Sequence, residues 1–138
     1  MNIKNRSLRS FFGIAVSAIL LMTASAVFAQ TDSAPKKRLQ SPAKVSGVVG
    51  GESHDGYVIK ASRGQRMQVQ ITWRRESGNK AEFTVSRSAN FYNASQVAFG
   101  KESAGGKTWI GRIPRTGNYY IYVVANPRAR YTLKVTML

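Results

Sequence analysis

The 138-residue chain contains no cysteine and a single histidine, His54. No disulfide can brace the fold, and the nitrogen and sulfur ligands that transition metals prefer are in short supply. Carboxylates are scarce too: six Asp and Glu stand against 21 Lys and Arg, a formal charge of +15. Asp32, Glu52, Asp55, Glu76, Glu82 and Glu102 are scattered, and no spacing singles out the acid and base of a two-carboxylate glycosidase. His54 sits beside Asp55, but neighbours on an extended chain point apart and no serine lies in a nucleophile-elbow setting. A glycine-rich phosphate loop, a zinc spacing, a recognition helix and an RNA-binding aromatic signature are all missing. The expected class is therefore a protein without catalysis, cofactor, metal or specific nucleic-acid partner.

The N-terminus has a different character. Residues 1–10 carry three cations and no acid, Phe11 to Val27 is mostly apolar, and Val27-Phe28-Ala29 before Gln30 has the small-x-small form of a processing site. This reads as a cleaved signal peptide over residues 1–29, with Ala26 as a second cleavage position. A membrane anchor matches the length of the run but not its Ser17, Thr23 and Ser25, so no stable span is expected after cleavage. Removing three of the 21 cations and none of the six acids leaves a charge of +12, in a periplasmic or secreted protein. A field of that sign steers anionic partners toward the surface. Residues 30–44, with Lys36-Lys37-Arg38, two prolines and Leu39 as the one sizeable apolar side chain, read as a flexible basic arm.

From Val45 to the end, short alternating runs are cut by glycine-containing turns, the pattern of an all-β antiparallel sandwich of seven to eight strands in one domain, 45–138. The clearest run sets Met67, Val69, Ile71 and Trp73 against Arg66, Gln68, Gln70 and Thr72. Strands are also expected around Val45 to Val49, Tyr57 to Ala61, Ala81 to Val85, Gln96 to Phe99, Trp109 to Ile113, Tyr119 to Ala125 and Tyr131 to Met137. Residues 88–95 read as irregular and 100–106 as flexible. Trp73, Phe83, Trp109, Tyr119 and Tyr131 fall on core faces. Tyr120 and Tyr122 fall on the opposite face from Tyr119; if that face meets solvent, they and Arg112 form a second binding strip. Phe91 and Tyr92 are the other exposed aromatics expected.

The run Gly47-x-x-x-Gly51, then Asp55-x-Tyr57-x-Ile59-x-Ala61-x-x-Gly64-Gln65-x-x-x-Val69-x-Ile71, continues in Ile113-Pro114-x-x-Gly117-x-Tyr119-x-Ile121-x-Val123 and Tyr131-x-Leu133-x-Val135. Over nearly all of 45–138 this resembles bacterial pre-peptidase C-terminal-type β-sandwiches, most of all the periplasmic inhibitors of goose-type lysozyme. The resemblance implies hairpins at the Pro-x-x-Gly-x-Tyr motif and at the last turn, and a working surface of loops that enter the lysozyme's substrate cleft. An aromatic residue before the Asp-x-Tyr strand is replaced here by Glu52, next to His54. The arginines of the final loop, Asn126-Pro-Arg-Ala-Arg130, are Arg128 and Arg130.

An arginine fork donating two charge-assisted hydrogen bonds to a catalytic glutamate would block its proton transfer. The charge also admits a second reading, an envelope-binding module held to lipopolysaccharide or peptidoglycan by many weak contacts. In a third, the chain is an accessory subunit whose edge strands dock an unknown protein. No motif encodes an oligomeric state.

Overall fold

Side chains alternate across a strand, so a run of apolar residues at every second position builds a sheet with one face to bury. In the computed structural model, which describes residue 32 and residues 34–138, nine strands do so. They are β1 (Lys37–Leu39), β2 (Ala43–Gly50), β3 (Asp55–Ala61), β4 (Arg66–Trp73), β5 (Lys80–Ser86), β6 (Lys101–Ser103), β7 (Thr108–Arg112), β8 (Gly117–Asn126) and β9 (Arg128–Met137). The expected leader over residues 1–29 lies outside the described residues. Strands β1-β3-β8-β5 form a four-stranded sheet and β2-β9-β4-β7-β6 a five-stranded one. The core lies between them, with Met67, Val69, Ile71, Trp109, Tyr119, Ile121, Leu133 and Val135 essentially sealed from water. Among the described residues, no helix is long and apolar enough to cross a membrane.

Three expectations are corrected. Residues 37–39, assigned to the arm, form β1, because Leu39 buries itself in the core while the backbone pairs Lys37 with Tyr57 and Leu39 with Ile59. That pairing is parallel, the one exception in an otherwise antiparallel pair of sheets. Gln96 to Phe99 form no strand; Val97 donates to the carbonyl of Val85 at 2.9 Å and Phe99 packs edge-on against Trp109 and Tyr119, while pairing moves to Lys101–Ser103.

The third correction concerns the turns. Only β6 and β7 are sequence neighbours within one sheet; every other consecutive pair changes sheet. The Pro114 to Gly117 turn and the last turn are thus corners between sheets and not hairpins. At Arg63-Gly64-Gln65 the corner from β3 to β4 needs glycine, since Gly64 has φ +90°. At the last corner a single residue, Pro127, separates β8 from β9.

One polar cluster ties the sheets. The hydroxyl of Tyr131 on β9 donates to Oδ2 of Asp55 at 2.5 Å, leaving its oxygen to accept from the hydroxyl of Tyr57 on β3. Burial above all, then the bonds to Asp55 and Tyr57, pushes the Tyr131 phenol far above its usual pKa, so it stays a neutral donor. Gly47 faces Tyr131 on β2, and a Cβ there would lie 2.6 Å from Asp55 Oδ2 and 2.8 Å from the Tyr131 oxygen. The cluster needs that missing methyl.

Tyr131→Phe strips the carboxylate of its donor and Tyr57 of its acceptor, and is expected to cost about 1–3 kcal/mol of stability. Tyr57→Phe removes only the end of the chain and should cost less. Urea unfolding of the two variants checks the order; equal losses would contradict a relay that runs through Tyr131.

Candidate functional site

Three loops meet at the end of the sandwich where β2, β4 and β8 finish. The first, residues 51–54, is tied down by Gly51 N–H donating to the Pro127 carbonyl at 2.9 Å and by Ser53, whose hydroxyl donates to Gly50 O at 2.8 Å. The second is the β8–β9 corner. The third, residues 74–79, is held by Asn79. This side chain is largely buried; its Nδ2 donates to the carbonyls of Arg74 and Arg128, both at 3.0 Å, and its Oδ1 accepts from Glu76 N–H at 2.9 Å. All its main bonding capacity is used, so it fastens the loop to the strand carrying the arginines.

Arg128 and Arg130 are exposed and lie on the same face of β9, two residues and about 7 Å apart. Val48 sits opposite Arg130 on β2, and Gly50 opposite Arg128. A Cβ on Gly50 would approach Arg128 Cα to 2.7 Å, so glycine sets how closely β2 can cover this corner. A depression of about 410 Å³ opens between Val48, Gly51, Ser53, Pro127 and Arg128. A second, of about 140 Å³, lies among Arg74, Glu76, Arg128 and Arg130. Glu52 is exposed on the 51–54 loop, so it and the two arginines share one end of the molecule. Among the described residues, neither Arg128 nor Arg130 has a carboxylate within salt-bridge distance; Arg74 takes Glu76, at 3.0 Å.

His54 does not join them. Its ring stacks on Phe91, centroids 3.8 Å apart, and its side chain is only 10% exposed. Nε2 lies 3.4 Å from Asp32 Oδ1 in a geometry short of a hydrogen bond. Asp55 points the other way, to Tyr131, as neighbours on a strand must. Asp32 is the hub of this second cluster. Burial by itself would raise its pKa, but the Lys36 ammonium at 2.8 Å and the N–H groups of Ala34 and Phe91 outweigh that and lower it to about 2. Among the described residues, no group of three or more His, Cys, Asp or Glu is placed to hold a metal ion.

The second strip anticipated from Tyr120, Tyr122 and Arg112 is not assembled. Strand β8 is central in the four-stranded sheet, and Tyr122 is 1% exposed beneath the 88–94 loop, donating to Ser88 O at 2.7 Å. Tyr120 is half-buried and stacks on it, centroids 6.4 Å apart. Arg112 belongs to the other sheet, where it donates to Gly64 O at 3.0 Å. Of the two loop aromatics, Tyr92 is exposed and Phe91 is half-buried. Sequence reasoning passed over Asn79 and Asp32. The Ser77-Gly78-Asn79 turn was a usable signal for the first, because asparagine commonly bonds turn backbone; Asp32 had none.

No family model and no curated protein matches the sequence. Solved structures do resemble it. Aeromonas hydrophila PliG, described as a periplasmic lysozyme inhibitor of g-type lysozyme, superposes with a TM-score of 0.60 at 23% identity, over 75% of this chain and 96% of that one. Salmonella Typhimurium PliG, described in the same words, gives 0.53 at 19%, over 76% and 100%. The pre-peptidase C-terminal domain of Bacillus anthracis collagenase gives 0.52 at 20%, over 76% and 100%. The likeness expected from the sequence motifs is found, and at these identities it establishes the sandwich fold.

Two outcomes follow from the site's architecture. Asn79→Ala strands the Arg128 carbonyl and is expected to destabilise by about 1–3 kcal/mol, with faster amide exchange over 74–79 in NMR. For Asp32 the folded pKa of about 2 lies below the ordinary aspartate value of about 3.9, so its stabilisation is complete above the ordinary value and fades as pH falls toward 2. The stability gap between wild type and Asp32→Asn should therefore close between about pH 5 and 2 in denaturant titrations. A gap that stays constant over this range would contradict the assignment.

Proposed function

We propose that the chain is a periplasmic, non-catalytic protein that binds and inhibits a g-type lysozyme through the loop end formed by residues 51–54, 74–79 and 126–130. The observation that carries this reading is the pair of exposed arginines on one fixed strand, Arg128 and Arg130, without an acidic partner among the described residues. The fold shared with two proteins described as periplasmic inhibitors of g-type lysozyme supports it.

A lysozyme needs a carboxylic acid that gives up its proton to the leaving sugar oxygen. A guanidinium fork against that carboxyl holds it ionised and fills the space the sugar requires. The backbone beneath the arginines is already ordered, by Asn79 at Arg128 and by Tyr131 one residue beyond Arg130, so binding need order only their side chains. Glu52, on the neighbouring loop, is placed to meet a cation at the cleft's rim. His54, withdrawn under Phe91, acts on this surface only by holding the base of its loop.

The test is inhibition of goose-type and chicken-type lysozymes on a small soluble oligosaccharide, at low and at physiological salt. Salt-resistant inhibition of the goose-type enzyme is expected, weakened about 30-fold or more in Arg128→Ala/Arg130→Ala, as befits two central anchors. No inhibition at stoichiometric excess would overturn the reading.

A further inference from the structure

The outward side of the five-stranded sheet is charged in a way the fold does not require. Alternation along β2, β9, β4, β7 and β6 turns seven cations to it: Arg128 and Arg130 at the loop end, then Lys44, Arg66, Lys101, Arg112 and Lys134. The strand positions on that side carry no Asp or Glu among the described residues. Beside the other sheet, two cations do have acidic partners: Lys80 on β5 pairs with Glu82, and Lys36, just before β1, with Asp32.

Register makes the excess sharper. Lys44 stands directly opposite Lys134 across β2 and β9, and Arg66 directly opposite Arg112 across β4 and β7. Like charges at facing positions lie about 5 Å apart and destabilise a sheet. Along the strands these pairs are ordered. Lys134 is four residues beyond Arg130 on β9, and the Arg66 backbone pairs with Leu138, four beyond Lys134. The face thus carries three cationic rows at intervals of about 13 Å. Arg112 is held in place through its bond to Gly64 O at 3.0 Å.

Gln70 and Thr108 continue the Lys44–Lys134 row, and Gln68, Thr72 and Thr132 lie between rows, so the rest of the surface is hydroxyl and amide. A shallow groove of about 260 Å³ runs over Gln70, Thr72, Thr108 and Thr132, flanked by Lys107 and Lys134. At Thr72 and Lys107 it meets a smaller hollow at the half-buried Trp73, where Lys107 Nζ lies 5.1 Å from the ring centroid. Neutral hydrogen-bonding groups beside cations, with an indole at one end, match a sugar chain bearing acidic groups. Nucleic acid fits less well. No row of aromatics is available for base stacking, and the face is flat where a duplex groove would need a protruding element. A lipid fits less well again, as the large apolar side chains exposed here, Val48, Ile110 and Leu138, are dispersed among the polar and cationic positions.

We propose that this face is a docking surface for an acidic polysaccharide, which lies across the cationic rows and seats a sugar in the groove beside Lys107 and Lys134. It adjoins the loop end at Arg130, but its sugar seat and its two like-charge pairs lie beyond that residue, and inhibition of a lysozyme does not depend on them. The ligand relieves the two like-charge pairs, so binding stabilises the fold.

The test uses protein obtained by expressing the full chain, with alginate oligosaccharides as probe and neutral dextran and an oligonucleotide of matched charge as comparisons. Isothermal titration should show alginate binding that weakens steeply with salt, no dextran binding, and oligonucleotide binding at least fivefold weaker than alginate. Lys44→Gln/Arg66→Gln/Arg112→Gln/Lys134→Gln should lose affinity at least tenfold with a shallower salt slope, and its melting temperature without ligand should match or exceed wild type. Alginate should raise the melting temperature of wild type and not of this variant. A variant of equal charge change on other surfaces, Lys37→Gln/Arg38→Gln/Lys60→Gln/Arg63→Gln, should keep wild-type binding within threefold. Equal loss in both variants, or equal binding of the oligonucleotide, would overturn the proposal in favour of charge alone.

Discussion

A sandwich whose chain changes sheet at nearly every turn has few hairpins to set its registers locally, so the contacts between sheets must do it. At the loop end that contact is polar. The Tyr131 hydroxyl lies between Tyr57 and Asp55, joining the last strand of one sheet to the second strand of the other. A buried carboxylate without a donor would weigh heavily against folding, and with one it fixes a single alignment. Gly47 leaves the space, and Arg130 stands one residue away. Core and proposed binding surface thus share one constraint: whatever holds Tyr131 in place also holds the strand that carries the arginines.

The charge divides in a comparable way. On the four-stranded sheet's side two cations have acidic partners, Lys80 with Glu82 and Lys36 with the Asp32 hub beside the His54–Phe91 stack. The five-stranded sheet's outer face leaves its cations unpaired and sets two pairs against each other. A protein selected for stability alone has little reason to keep such an arrangement. If the loop end and the sheet face each take a partner, as proposed, the like-charge pairs of the sheet stand apart from the arginines of the loop end. A basic module held near an acidic polysaccharide would meet enzymes that act on such polymers.

Much of the fold was legible because burial repeats every second residue. Met67, Val69 and Ile71, and again Tyr131, Leu133 and Val135, announce their strands and their inward faces. Leu39 could not, being one apolar residue amid lysine and arginine whose partner strand lies twenty positions away in a parallel pairing. The turns at Pro114 and Pro127 showed that the chain reverses but not which sheet receives it, since that depends on the order of all nine strands. Tyr122 looked available because its cover comes from Lys36 and the irregular segment 88–94, which carry no period. Arg128 and Arg130 were visible as charge. The anchoring of their backbone was not, because it rests on Asn79, some fifty residues earlier in the chain.

The most direct measurement is amide NMR of the labelled protein titrated with a g-type lysozyme. The account predicts shift changes confined to residues 51–54, 74–79 and 126–130, with the amides of Lys44, Arg66, Arg112 and Lys134 unmoved. Changes centred on the five-stranded sheet's outer face, or none at saturating enzyme, would contradict it.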